Sequence, residues 1–133
     1  ESLSENLIEF GSIELQKETV IQYEGDTDTS VLIHIHTLGA ASGITIHNTG
    51  TRETMRLDAS LLSGDDVYIN TERGNKYVKL IRNGIETNLL NSLDINSVWF
   101  RLVRGDNVFA FVADTGGENI QMEITHRPLY VGV

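Results

Sequence analysis

Two glycine–aspartate turns between residues 61 and 112 constrain the fold of this chain more than any other feature. Gly64 ends one hydrophobic run and Asp65 opens an alternating one, and Gly105 and Asp106 hold the same places before residues 107–113. Glycine adopts the positive φ that tight turns require, and aspartate is a turn-favouring residue. Hydrophobic runs separated by short turns are typical of antiparallel strands, so the two copies predict an antiparallel β-sheet protein.

Alternation of apolar and polar residues extends this prediction along the chain. It is clearest at residues 31–36, 44–48, 54–58 and 119–126, and it predicts strands with one buried face and one solvent-exposed face. Residues 107–113 are apolar on both faces, which predicts a strand covered on each side. About ten short strands at this spacing, with no helices between them, favour an all-β antiparallel β-sandwich with little helix. The residues expected in its core include Val31, Ile33, Ile35, Ile44, Ile46, Met55, Leu57, Ile120, Met122 and Ile124.

Two hairpin turns can be placed from their residues alone. Asn83-Gly84 is the strongest type of short hairpin signal, because both residues tolerate a positive φ. Arg73-Gly74-Asn75 marks a second turn between two strand-like runs. The stretch from residue 65 to residue 90 is therefore expected to form a meander of adjacent strands.

The domain organisation is simple. A chain of 133 residues fits one β-sandwich domain over residues 1–133. Leu3, Leu7 and Phe10 lie at near-helical spacing, so we expect residues 1–11 to be a linker or a short helical lead-in. Because the chain begins at Glu1 without a methionine, we expect it to be part of a longer protein.

The composition argues against several classes of partner. The formal net charge of −9 disfavours nucleic acid, whose binding depends on lysine and arginine neutralising phosphates. No apolar run approaches the ~20 residues of a membrane-spanning helix, so no membrane insertion is expected. The absence of cysteine excludes disulfides and thiolate metal sites, which leaves packing and strand pairing to stabilise the fold.

Three histidines are the only metal-ligand pattern that the sequence offers. His34 and His36 lie on the same side of one predicted strand, and His47 lies on the next strand. A cupin-like metalloprotein would use such a His-x-His pair, but the family places an acidic residue shortly afterwards, and residues 37–41 contain none. These side chains are expected to be polar residues of a wet sheet face, with no metal and no cofactor.

Nothing in the sequence predicts an enzyme. No serine lies in a G-x-S-x-G elbow, cysteine is absent, and no pattern selects a working pair among the nineteen acidic residues. Arg104-Gly105-Asp106 spells an adhesion tripeptide, but Ser63-Gly64 precedes Asp65 in the same way. A turn before a strand accounts for both.

Aromatic residues suggest a sugar-binding surface as a second possibility. A pyranose ring stacks on an exposed aromatic side chain while nearby polar groups bind its hydroxyls. Tyr68 and Tyr77 alternate out of phase with the expected core, and Trp99 with Arg101 alternates against Val98, Phe100 and Leu102. The carbohydrate-binding candidates are therefore Trp99, Tyr68, Tyr77 and Arg101.

Three segments together resemble a known family. The sequence SGDDVYINTERGNKYVKLIRNG at 63–84, SVWFRLVRGDN at 97–107 and the ending PLYVGV closely resemble, in this order, the C-terminal half of distal tail proteins. These are the baseplate hub subunits of long-tailed siphophages. Each segment alone is generic β-strand sequence, so the order and spacing carry the resemblance.

The resemblance implies both a fold and a role. In this family a galectin-like (jelly-roll type) C-terminal sandwich is displayed outside a hexameric ring that the N-terminal domain forms at the tail tip. A structural virion protein without catalysis is implied, assembled in the host cytoplasm, with other tail and baseplate proteins as its partners. The full-length protein would be a homohexamer and this domain alone a monomer. Contact with a host cell-wall saccharide is the added expectation, and a carbohydrate-binding module is the alternative function.

Overall fold

The computed structural model describes residues 7–9 and 18–126 of the chain. Within this part the protein is built from eleven β-strands and two short 3-10 turns, Leu90–Ser92 and Gly117–Asn119. The strands are β1 (Leu7–Glu9), β2 (Glu18–Tyr23), β3 (Thr29–Thr37), β4 (Ala41–Asn48), β5 (Glu53–Leu61), β6 (Asp66–Asn70), β7 (Tyr77–Arg82), β8 (Ile85–Asn88), β9 (Arg101–Leu102), β10 (Gly105–Thr115) and β11 (Ile120–His126).

The strands form two antiparallel sheets. The seven-stranded sheet has the order β1-β11-β3-β6-β7-β8, and β9 pairs with the start of β3. The four-stranded sheet has the order β2-β10-β4-β5. Consecutive strands β3 and β4 belong to different sheets, as do β5 and β6. The all-β antiparallel sandwich predicted from the sequence is confirmed.

The core lies between the two sheets and contains the residues that alternation selected. Apolar side chains of both sheets pack in one buried cluster, in which the rings of Phe100 and Phe109 meet at 5.4 Å in an edge-to-face contact. The period-two pattern succeeds because successive side chains of a strand point to opposite faces. All ten core residues predicted from the sequence are buried: Val31, Ile33, Ile35, Ile44, Ile46, Met55, Leu57, Ile120, Met122 and Ile124.

The predicted turns have the backbone geometry that their residues suggested. Asn83 and Gly84 both have positive φ, 53° and 76°, which is the pattern of a two-residue hairpin turn between β7 and β8. Gly64 and Gly105, the glycines of the two glycine–aspartate turns, also have positive φ, 85° and 103°. The turn chemistry was therefore readable from the sequence alone.

The turn at Asp65 is also held by a buried ionic cluster. The Asp65 side chain is 1% exposed and accepts a 2.7 Å hydrogen bond from the backbone N–H of Leu62. Its two carboxylate oxygens accept hydrogen bonds from Nε and Nη2 of Arg82 at 3.0 and 2.7 Å. The hydrogen bond from Arg82 lowers the pKa of the Asp65 carboxyl. This cluster links the turn that follows β5 to β7 of the other sheet.

Two expectations about secondary structure were wrong. Leu7–Glu9, within the expected linker or helical lead-in, forms strand β1 and pairs with β11. In the segment 98–102, whose alternation is typical of a strand, only Arg101–Leu102 is β-strand. Residues 93–98 instead run along the outer edge of β5, where Leu93 pairs with Leu57. The rest of the lead-in and the ending PLYVGV lie outside the described residues.

Residues 107–113, expected to be covered on both faces, lie in β10, and part of this strand is covered on its inner face only. In β10, Phe109 and Phe111 are fully buried, but Val112 is 39% exposed on the outer face of the four-stranded sheet. Val20 of the neighbouring strand β2 is 50% exposed on that face. A run of apolar residues is buried on both faces only when a second layer of the protein covers the outer face. No described residue forms such a layer over Val112.

Candidate functional site

The outer face of the seven-stranded sheet carries an ordered set of polar and aromatic side chains, here called the histidine–tyrosine face. Alternation directs these side chains away from the core, and strand pairing aligns them in three rows across β11, β3, β6 and β7. Each of these side chains is half-buried. The rows are Thr125, Leu32, Asn70 and Tyr77; Glu123, His34, Tyr68 and Lys79; and Gln121, His36, Asp66 and Ile81.

One carboxylate oxygen joins the two histidines of this face. Oδ1 of Asp66 lies 2.8 Å from Nε2 of His34 and 2.8 Å from Nδ1 of His36. An ionised carboxylate only accepts hydrogen bonds, so both ring nitrogens must carry a hydrogen. This arrangement fixes the tautomer of each neutral imidazole and leaves Nδ1 of His34 and Nε2 of His36 as acceptors.

Two opposing effects act on the Asp66 carboxyl. Partial burial would raise its pKa, but the hydrogen bonds from His34 and His36 together outweigh burial and lower the pKa. The carboxylate is therefore ionised throughout the neutral range. The face consequently carries a fixed negative group between two imidazoles.

The aromatic rings of the face are partly covered by their neighbours. The His34 ring stacks on Tyr68 with centroids 4.5 Å apart and planes within 5° of parallel. The Lys79 ammonium lies 4.3 Å from the centre of the Tyr77 ring. His34 therefore covers one face of the Tyr68 ring, and a sugar ring would have to stack on the other face.

The structure brings three of the four predicted sugar-binding residues together. Tyr68 and Tyr77 lie on the histidine–tyrosine face, and Arg101 extends it, because Arg101 pairs with Ser30 two residues before Leu32. Trp99 is different: it is half-buried against the core, with the Lys76 ammonium 5.5 Å from its ring centre.

A family comparison identifies the class of protein. The model of the siphovirus-type tail component, C-terminal domain, matches residues 24–130. The chain belongs to this family. No curated protein and no solved structure matches it. Family membership confirms the resemblance to distal tail proteins and makes the chain part of a phage tail, with other tail proteins as its partners and the virion as its location.

The three-histidine metal site is excluded in this tail component. His47 lies on β4 and is paired with Ala110 and Thr54 in the four-stranded sheet, whereas His34 and His36 lie on the outer face of the other sheet. The three histidines are kept apart because consecutive strands β3 and β4 are not neighbours in one sheet. Among the described residues no group of three histidine or acidic side chains has the geometry of a metal site.

Sequence reasoning missed Asp66, the residue that organises the site. Asp66 follows the buried Asp65 and opens β6, so its outward orientation was readable from alternation. Its position opposite His36 depends on the pairing of β3 with β6, thirty residues apart in sequence.

Within the described residues no helix is long and apolar enough to cross a membrane.

Proposed function

We propose that this domain is the peripheral C-terminal domain of a distal tail protein in the baseplate hub, with a structural role and no catalytic one. The observation that carries the proposal is the match of residues 24–130 to a tail-component C-terminal domain. The two-sheet sandwich supports it, because its connections within the described residues are short and add no arm or second module. In the full-length protein a preceding ring domain would supply the hexamer, and this domain alone would be a monomer.

Location on the virion tests this proposal. Gold-labelled antibodies raised against the domain should label purified virions at the tail tip in electron micrographs. Labelling blocked by the purified domain is the specificity control. Label along the tail tube or on the capsid would contradict the proposal.

Light scattering on the purified domain should give the mass of one chain. A stable hexamer would contradict the assignment of assembly to another domain.

A second role, contact with a saccharide of the host surface, is favoured by the histidine–tyrosine face. Its two tyrosines, the fixed acceptor nitrogens of His34 and His36, and the Asp66 carboxylate lie side by side on one exposed sheet. Saccharide sites combine aromatic faces with a few polar groups in this way. The proposal places the contact on this face rather than at Trp99.

Matched variants on the two outer faces test the saccharide role. Tyr68→Ala and Tyr77→Ala should abolish saturable binding of cell-wall fragments, measured by calorimetry or nuclear magnetic resonance titration. His47→Ala, a change on the other outer face, should leave binding unaltered. Binding that survives both tyrosine changes would contradict the assignment to this face, and absence of any binding would contradict host-surface saccharide contact itself.

A further inference from the structure

The histidine–tyrosine face ends in an open cavity at the start of β3. The cavity has a volume of about 510 Å³, which lies in the range of small-molecule sites. It continues the first row of the face, because Leu32, Asn70 and Thr125 line it together with Ser30 and Arg101. A ligand lying on the face can therefore extend into the cavity without leaving the sheet surface.

Two arginines at this cavity share one carboxylate. Arg101 uses Nε and Nη2 to bind Asp28 at 3.3 Å, and its Nη1 has no hydrogen-bond partner among the described residues. Arg73 also lines the cavity, is 73% exposed, and approaches Asp28 only to 3.8 Å. These long contacts to one carboxylate leave several guanidinium N–H groups available to a second anion.

Other polar groups of the cavity are also unused. The hydroxyl of Ser30 has no hydrogen-bond partner among the described residues. Asn70 donates through Nδ2 to the carbonyl of Asn75, and its Oδ1 accepts no bond from any described residue. Glu72 adds a carboxylate to the lining. The cavity therefore offers guanidinium donors at one point and hydroxyl, amide and carboxylate groups around it.

This set of groups matches one ligand chemistry. A guanidinium binds a carboxylate through paired charge-assisted hydrogen bonds, whereas serine, asparagine and glutamate side chains bind sugar hydroxyls. Peptide segments that bind through strand addition or in an apolar groove do not fit this cavity, because its lining residues are mainly polar. An acidic sugar presents a carboxylate and several hydroxyls on one ring.

We propose that the cavity binds the carboxylate of an acidic saccharide, anchored by Arg101 and Arg73, with the rest of the chain lying on the histidine–tyrosine face. The proposal rests on the host-contact part of the proposed function and not on the location in the tail. It gives that contact a substrate class, a saccharide that carries uronic acid groups.

Titration with matched sugars tests this class directly. Glucuronate and galacturonate, added to the 15N-labelled domain, should shift the backbone signals of Ser30 and Arg101 and the side-chain amide of Asn70. Glucose and galactose have the same rings without the carboxylate. We expect the uronates to bind about tenfold more tightly, the gain of a charge-assisted bond pair. That preference should shrink as salt is raised, because the site is open to solvent.

Three variants separate recognition from structure. Arg73→Ala should weaken uronate binding several-fold without altering the melting temperature, because the Arg73 side chain makes only one long ion-pair contact with the described residues. Asp28→Asn removes the internal competitor of both arginines and should strengthen uronate binding. Arg104→Ala is the matched control, since Arg104 is an exposed arginine paired with Asp26 away from the cavity, and binding should not change.

The outcomes distinguish this proposal from the one on which it rests. Equal binding of uronates and neutral sugars would overturn the acidic-saccharide site and leave saccharide contact standing. No binding of any sugar or cell-wall fragment would overturn both, while antibody labelling of the tail tip would stay unaffected. Uronate binding that is unchanged in Arg73→Ala and weakened in a correctly folded Asp28→Asn would place the ligand elsewhere and overturn the site.

Discussion

The two outer faces of the sandwich use their charged residues in opposite ways. On the four-stranded sheet, Arg56 binds Asp58 and Asp114 at 2.6 Å each and Thr45 at 3.0 Å. The hydrogen bonds that Arg56 donates to the Asp114 and Asp58 carboxylates raise the pKa of its guanidinium. On the histidine–tyrosine face, one carboxylate is shared by two histidines, and at its end one carboxylate is shared by two arginines.

This difference indicates which face is suited to a ligand. A guanidinium already held by two carboxylates has few N–H groups left for a ligand, and the rest of that face includes exposed Val20 and Val112. The histidine–tyrosine face instead carries the stacked rings of His34 and Tyr68 and ends at a cavity whose two arginines make only long contacts to one carboxylate. Charge alone does not distinguish the faces, whereas the way in which their arginines are held does.

The largest expected effect comes from releasing the turn that brings β6 beside β3. Asp65→Ala should lower the free energy of unfolding by about 2–3 kcal/mol, because a buried carboxylate that holds Arg82 and a backbone N–H is lost. Urea unfolding measures the change. The neighbouring Ser63→Ala, an exposed turn residue, is the control. A loss under about 0.5 kcal/mol would show that the turn is held by other contacts.

A smaller effect is expected from the centre of the histidine–tyrosine face. Asp66→Ala should cost about 1–2 kcal/mol, because two half-buried hydrogen bonds to imidazoles are lost. The folded-state pKa of Asp66 is lowered, so its stabilisation is complete above the unfolded carboxyl pKa and declines as pH falls through the lower folded pKa. Unfolding curves of the variant and wild type should therefore converge at acid pH. A constant difference down to that range would contradict the ionic role of Asp66.

An edge hairpin of the same sheet gives a third test. Gly84→Val should destabilise the domain by roughly 1 kcal/mol, because a branched side chain is strained at φ 76°. A Cβ at Gly84 would meet no atom of the described residues within 4 Å, so the expected loss comes from backbone strain and not from a clash at Cβ. Thermal unfolding measures it. Thr87→Val, in the following strand at an exposed position, controls for the added methyl groups. A neutral Gly84→Val would show that the turn relaxes to another conformation.

The smallest effect is expected on the four-stranded face. Asp114→Asn should leave the unfolding midpoint almost unchanged, because the Arg56–Asp114 pair is exposed and Arg56 keeps Asp58. Any difference should disappear in high salt. Paired urea curves at low and high salt measure this. A large, salt-independent loss would mean that Asp114 is as structural as Asp65, and the contrast between the two regions would fail.

The orientation of the candidate site residues could be predicted from the sequence, but the path of the segment before Trp99 could not. Alternation placed Tyr68 and Tyr77 on a wet face, because the orientation of a side chain in a strand is a local property. Trp99 lies apart from them, packed against the core, where residues 93–98 run along the edge of β5 instead of continuing the strand. That choice depends on which edge lacks a partner, and an exposed edge strand gains from being covered. No local pattern reports it.

The residues that face the core and the places where the chain turns could be predicted from the sequence, since both depend on neighbouring side chains and on backbone conformations open to glycine and asparagine. The pairing of β3 with β6 and β11, and the place of β4 in the other sheet, could be known only from the folded chain. Backbone hydrogen bonds are the same for every pair of strands, so pairing is selected by how the two sheets together bury their apolar faces. The Asp66 cluster and the two-arginine cavity exist because of that selection.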